Sequence, residues 1–356
     1  MPLLNSYAIW NNKGGVGKST VCFHLAARYA ERNPNHRVLV IDLCPQANSS
    51  MMLLGGGPES ETRVLNLGQQ QVPHTVVGYL ATVLSQAQTA PLPDPAQFVT
   101  QVSTLNHHLP QNIFLVCGDG NLEPMAPLIS ERAGQALLLP GQSPSWLWVH
   151  QVFRRLIEQV TTNPNERWLV LVDTNPSFSI YTEIAISAVN RLIVPVNADD
   201  ASRVATNAMF TLIYGANPPH PVYGTYTYAS RADNFNLTRP LVHLIVGNRL
   251  TQYDGPAAAF GAISDATANV LYTAYQNFPN RFSAPAAPVT TMRRFRDAYS
   301  VPLRDFNTSG VVAAHLGRPL SSLRAGHYPV HAAQVQVNAA RTRECLEAID
   351  LVVNRL

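Results

Sequence analysis

Tyr7-Ala8-Ile9-Trp10-Asn11-Asn12-Lys13-Gly14-Gly15-Val16-Gly17-Lys18-Ser19-Thr20 passes from an apolar run through a glycine-rich turn into a segment of helical pattern. Tyr7 to Trp10 reads as a strand and Val21 to Tyr29 as a helix, the context a phosphate-binding loop requires. A glycine turn opening a helix aims several backbone N–H groups at one point, where the helix dipole also favours an anion. Lys18 adds a compact charge for β- and γ-phosphates, and the Ser19 hydroxyl can ligate Mg²⁺. Gly14, Gly15, Val16, Gly17, Lys18, Ser19 and Thr20 are therefore the candidate nucleotide cradle. Lys13 and Lys18 are the only lysines in the chain; its other 23 basic residues are arginine.

Working outward, strand and helix signals alternate, which predicts a doubly wound α/β fold with a mainly parallel sheet and helices on both faces. Arg37 to Asp42 and Trp168 to Asp173 are short apolar runs, each ending in a carboxylate. A continuous run of this kind marks a parallel strand buried on both sides. Two such aspartates downstream of a phosphate loop suit Mg²⁺, a hard cation that takes one or two carboxylates besides phosphate oxygens. Further strands are expected at Ile113–Val116, Arg191–Val196 and Val242–Val246, and helices at Trp146–Val160, 201–214, 256–277 and Val335–Leu356. Residues 55–112, rich in Gly, Gln, Pro and Ser, read as an insertion over the sheet with a helix near Val76. Residues 215–238 read as a smaller loop insertion. The whole of 1–356 is expected to form one domain.

The run Lys13-Gly14-Gly15-Val16-Gly17-Lys18-Ser19-Thr20 resembles the deviant Walker A motif of the ParA/MinD family of P-loop ATPases (SIMIBI type), and the chain is identified as a member of its ParA-like branch. The resemblance implies that Lys18 grips the chain's own ATP while Lys13 reaches the nucleotide held by a partner subunit. Asp173 in Leu171-Val172-Asp173-Thr174-Asn175-Pro176 resembles the Walker B end, which implies Mg²⁺ contact through water; Asn175 stands where the family has a proline. Ile41-Asp42-Leu43-Cys44-Pro45-Gln46-Ala47-Asn48 resembles the first switch, normally Asp-x-Asp-Pro-Gln-Gly-Asn. Asp42 matches its first aspartate, but Cys44 replaces the second, which orients the attacking water. A thiol of ordinary pKa is a weak hydrogen-bond partner, so slow hydrolysis is expected. Asn248, just past a strand, is the candidate adenine reader. Pro195-Val196-Asn197-Ala198, which Asp199 and Asp200 follow, resembles the family's Pro-Val-Gln-x-Glu stretch at the dimer face, with no role assigned to Asp199 or Asp200.

Net charge is only +3, yet residues 281–343 carry nine arginines against Asp297 and Asp305. Such asymmetry points to a polyanion. Met292-Arg293-Arg294-Phe295-Arg296 resembles the family segment whose arginines contact the DNA backbone. Arg293 and Arg296 match the two family positions, Arg294 is an added charge, and Arg304 and Arg318 are secondary candidates. The resemblance implies an ATP-dependent homodimer, with ATP and Mg²⁺ as cofactors, that binds DNA non-specifically. A ParB-like or cargo-adaptor protein would stimulate it, in a cytoplasmic protein associated with the nucleoid. A MinD-like role at a membrane or protein scaffold, or a P-loop biosynthetic ligase, is the alternative.

Composition bounds these readings. With 46% apolar and 13% charged residues the chain is globular. No apolar run approaches the ~18 residues of a membrane span. Met1 to Leu4 lack a basic stretch, so no signal peptide is expected. No helix-turn-helix region is expected ahead of a motif that begins at residue 13. Cys22, Cys44, Cys117 and Cys345 lack paired spacing, which predicts free thiols and disfavours an iron–sulfur reductase or scaffold. The last helix carries Glu344, Glu347 and Asp350, which repel anionic lipid, so a helix packed on the domain is expected and membrane contact is not.

Overall fold

Strand β1 (Leu3–Ile9) delivers the chain into the glycine turn and helix α1 (Lys18–Arg32). β2 (Arg37–Leu43) follows, then α2 (Asn48–Leu53), α3 (Gly57–Gly68) and α4 (Val76–Leu84). Next come β3 (Thr100–Gln101), β4 (Ile113–Val116), α5 (Leu122–Gly134), α6 (Ser145–His150) and α7 (Val152–Val160). The alternation continues with β5 (Trp168–Thr174), α8 (Ile180–Ser187), β6 (Arg191–Val196), α9 (Asp200–Tyr214) and α10 (Tyr228–Asn234). β7 (Leu241–Gly247), α11 (Ala258–Asn277), α12 (Met292–Tyr299), β8 (Ser300–Pro302) and α13 (Asn307–His315) lead to a hairpin, β9 (Gly326–Val330) and β10 (Ala333–Val337), and to α14 (Ala339–Val353). This computed structural model describes residues 2–135, 143–197, 199–216, 220–247, 258–303 and 306–356; the side chains of 258–265 and 307 lie outside the description.

Eight strands form one sheet in the order β3-β4-β2-β5-β1-β6-β7-β8, parallel except where β3 runs against β4. The expected doubly wound, mainly parallel α/β architecture is what the chain adopts. Every residue of β5 is buried, the mark of a central strand covered on both faces. Ala8 and Trp10 join the core on one face of the sheet, with α4 to α12, while Tyr7 and Ile9 join the other, with α1, α13 and α14. That two-residue period is what a strand imposes on its side chains. β5 lies between β1 and β2, with Asp173 in register with both Ile9 and Asp42. The register therefore sets both strand-ending carboxylates beside the start of the glycine loop.

Several elements differ from the sequence reading. The final helix starts at Ala339, because Ala333-Gln334-Val335-Gln336-Val337 alternates with period two and pairs as β10. Trp146 to Val160 is two helices broken at Gln151, whose φ of −95° and ψ of 4° leave the helical region. Residues 55–112 lie partly over the sheet and also supply its edge strand β3, and 215–238 contains α10. Helix α14 turns Cys345, Ala348, Ile349, Val352 and Val353 into the core. It is tied to α1 by Arg28, whose two nitrogens each stand 2.8 Å from an Asp350 carboxylate oxygen. Among the described residues no helix is long and apolar enough to cross a membrane.

Candidate functional site

The glycines of the loop are there for backbone reasons. Gly15 and Gly17 hold φ of +71° and +80°, the left-handed region in which a Cβ is strained. A side-chain carbon added at Gly14 or Gly15 would meet nothing within 4 Å, so the loop faces open volume. That volume is a cavity of about 690 Å³ whose lining includes Gly14, Gly15, Lys18, Ser19, Thr20 and Cys44. Lys18 is nearly buried, and its Nζ donates to the carbonyls of Lys13 (2.8 Å) and Asn11 (3.3 Å). Burial pulls its pKa down to about 8, partly offset by Asp173. An ammonium with few partners at the floor of an open cavity is suited to an incoming polyanion.

Asp42 and Asp173 are fully buried side by side. Asp42 accepts hydrogen bonds from the Ser50 N–H (2.9 Å), the Ser50 hydroxyl (2.7 Å) and the Cys44 N–H (3.1 Å). Asp173 accepts from the Thr174 N–H at 3.0 Å, but its second oxygen has no partner. Burial, then the Asp42 charge, push Asp173 up to about 7. Two adjacent buried carboxylates with an open oxygen, and the Ser19 hydroxyl beside Asp173, make a hard-oxygen donor set of the kind Mg²⁺ takes. Cys44 is almost buried, and burial with the nearby Asp42 and Asp173 charges pushes its thiol up to about 12. It is a neutral group at physiological pH.

The raised Asp173 carboxyl makes a pH prediction for the nucleotide-free, metal-free protein. A carboxyl whose folded pKa exceeds its unfolded value stabilises the fold while protonated, and that contribution is lost as pH rises through about 7. Asp173→Asn removes the penalty. The Tm advantage of the variant over wild type is therefore expected to grow between about pH 5 and pH 7.5; thermal melts across that range that stay parallel would contradict it.

Lys13 is placed differently from Lys18. It is not among the residues lining the cavity; its ammonium is paired with the Asp199 carboxylate. Asp199 caps α9, its other oxygen accepting from the Ser202 N–H at 2.8 Å.

Arg293, Arg294 and Arg296 are exposed on α12, which is anchored by buried Phe295 and Tyr299 and capped by the Thr291 hydroxyl. Phe295 packs against Phe282 and Tyr299 with ring centroids 6.0 and 5.3 Å apart, so the helix that carries the arginines is rooted in an aromatic cluster. Among the described residues, other arginines of the basic segment have surroundings of their own. Arg281 lies over the Tyr214 ring, Arg324 follows α13 on the opposite face of the sheet, and Arg341 pairs with Glu344. Asn248 and Arg304 lie outside the described residues.

Sequence reading missed Ser50, which locks Asp42, and Met51, Met52, His315 and His331, which wall the distal cavity. The hairpin turn brings His331 there, and nothing in the local sequence signals it.

Comparison with known proteins agrees with this geometry. The profile of the CobQ/CobB/MinD/ParA nucleotide binding domain matches residues 7–354. The chain has the fold of apo McdA from Cyanothece, at 13% identity and TM-score 0.61 with 99% of each chain covered. It also has that of a plasmid partition protein from Borrelia burgdorferi B31 bound to AMPPNP, at 13% identity and TM-score 0.53 with 98% of each covered. An uncharacterized protein of Pseudomonas putida is 56% identical over 45 residues, a segment that spans 13% of this chain and 16% of that relative. By the profile match over nearly its whole length, and by its sheet and phosphate loop, this chain belongs to the CobQ/CobB/MinD/ParA nucleotide-binding family.

Proposed function

We propose that this chain is a ParA-like ATPase whose two copies close over two ATP molecules, bind DNA without reading its sequence, and position plasmid, chromosome or other cargo. The observation that carries the reading is where the two ammonium groups point: that of Lys18 is held within the loop on the Lys13 and Asn11 carbonyls, whereas that of Lys13 leaves the loop, pairs with Asp199 and stays partly exposed. A partly exposed amine that leaves its own loop to pair with Asp199 is placed to serve a second nucleotide. In this reading residues 14–20 hold the phosphates, and Ser19, Asp42 and Asp173 hold Mg²⁺. The bound cation would offset charge on the phosphate oxygens. Lys13 serves the partner's nucleotide.

DNA contact is assigned to α12. Arg293 and Arg294 occupy its first turn, where a positive charge opposes the helix dipole. An exposed cation placed there against local stability is suited to a phosphate. Affinity then depends on ATP, because dimerisation doubles the arginine patch. Retention on DNA with ATP, ADP and no nucleotide, run beside sizing of the same samples, tests the proposal. A dimer and DNA binding specific to ATP are expected. Retention indifferent to nucleotide would refute it, and an ATP dimer without DNA binding would favour the membrane or scaffold alternative.

Hydrolysis is slow because the neutral Cys44 thiol cannot orient water as a carboxylate does, and a ParB-like or adaptor partner is needed to accelerate it. Cys44→Asp is expected to raise single-turnover hydrolysis on the order of a hundredfold. The same change puts a third carboxylate beside two buried ones, so it should lower the Tm of the nucleotide-free protein. An aspartate variant no faster than wild type, with or without partner, overturns this assignment.

A further inference from the structure

The pair between Lys13 and Asp199 joins two positions 186 residues apart in the sequence. It bridges the phosphate loop to the N-cap residue of α9, and further bonds lie beside it. Asn11 Nδ2 donates to the Pro195 carbonyl at 2.7 Å, and the Asn197 N–H donates to the Ser202 hydroxyl at 3.1 Å. The two oxygens of Asp199 are used separately, one on the Ser202 N–H and one on Lys13. Capping thus fixes the carboxylate in place whether or not the lysine is there. The side chains of Lys13 and Asp199 are 22% and 41% exposed, so the pair is open at the rim and can exchange its partner.

We propose that Asp199 is an in-chain latch: it occupies the Lys13 ammonium in the free subunit, and assembly on ATP proceeds by transferring that ammonium from Asp199 to the partner's phosphates. This inference rests on the dimer proposed above, in which Lys13 acts across the interface. The carboxylate and the phosphates compete for one cation, so the latch sets a threshold for assembly. A partly exposed ion pair contributes little, but a two-fold dimer breaks two of them. The latch therefore weakens dimerisation by roughly two- to thirtyfold.

Asp199→Asn separates the two duties of this residue, since asparagine caps a helix as well as aspartate does and removes only the charge. In sedimentation velocity at saturating Mg·ATP, the variant is expected to dimerise about two- to thirtyfold more tightly than wild type. The gap should close at high salt. Its affinity for ATP at protein concentrations too low to dimerise should match wild type. Asp199→Ser, which keeps a hydroxyl cap, should behave likewise and guards against a folding artefact in one variant; far-UV melts of both identify such an artefact. Lys13→Ala and the double variant Lys13→Ala/Asp199→Asn should both fail to assemble. Dimerisation by Asp199→Asn equal to or weaker than wild type overturns the latch while the dimer proposal stands. Normal assembly by Lys13→Ala overturns the dimer proposal itself.

Discussion

Lys13→Ala is expected to abolish dimerisation at saturating Mg·ATP while the monomer still binds ATP. The amine is held by Asp199 and Lys18 bonds only the Lys13 backbone carbonyl, so loss of the side chain leaves Lys18, the loop N–H groups and the carboxylates Asp42 and Asp173 in place for the chain's own nucleotide. What is lost lies between subunits. Removing one partner of a desolvated charge pair at an interface costs about 2–5 kcal/mol, and two-fold symmetry removes it twice, so a dissociation constant weaker by about a thousandfold or more is expected. Sedimentation velocity measures assembly, and equilibrium titration of a fluorescent ATP analogue at low protein concentration measures binding. Assembly that survives the substitution, or ATP binding lost together with it, would place Lys13 in its own subunit's site and undo the reading.

The second large effect is expected from replacing Arg293, Arg294 and Arg296 together by alanine. Three exposed guanidiniums per subunit make six phosphate contacts per dimer, enough for a slope of about −5 in log affinity against log salt. Wild-type retention should therefore fall about a thousandfold between 50 and 200 mM salt, and the triple variant should lose most affinity and nearly all of that slope. Sequence of the DNA should not matter, since phosphate contacts carry no base information. The fold should survive, because α12 is held by Phe295 and Tyr299 and these substitutions touch neither. ATP-dependent dimerisation should be unchanged, which separates loss of DNA contact from loss of assembly. A triple variant that keeps wild-type affinity and salt slope would move the DNA surface elsewhere.

Much of the site was legible because its parts are local. A glycine loop between a strand and a helix is contiguous, and Gly15 and Gly17 reveal their left-handed backbone by having no side chain. β2 and β5 showed as unbroken apolar runs because a parallel strand covered on both faces has no polar side to alternate with. Short or weakly patterned elements were harder. β3 has only two residues, too few to display a period, and β10 was absorbed into the last helix because its five residues stand only one residue ahead of α14. The local excess of nine arginines in 281–343 is real, yet among the described residues the fold sets α12 with its three arginines on one face of the sheet and α14 with Arg341 and Arg343 on the other, so the concentration in sequence was not one patch in space.

By itself the chain's order of residues determined that a phosphate loop would follow an apolar strand, that two apolar strands would end with aspartate, and that a thiol would stand two residues past the first of them. These follow from neighbours within a few residues, where backbone preference and hydrophobic period act. Only the tertiary structure decided that β5 would insert between β1 and β2 and bring Asp42 against Asp173, that one carboxylate oxygen would be left open, and that Lys13 would rest on Asp199. Those outcomes depend on strand order and register over more than a hundred residues, which the packing of the whole sheet settles and no local pattern encodes.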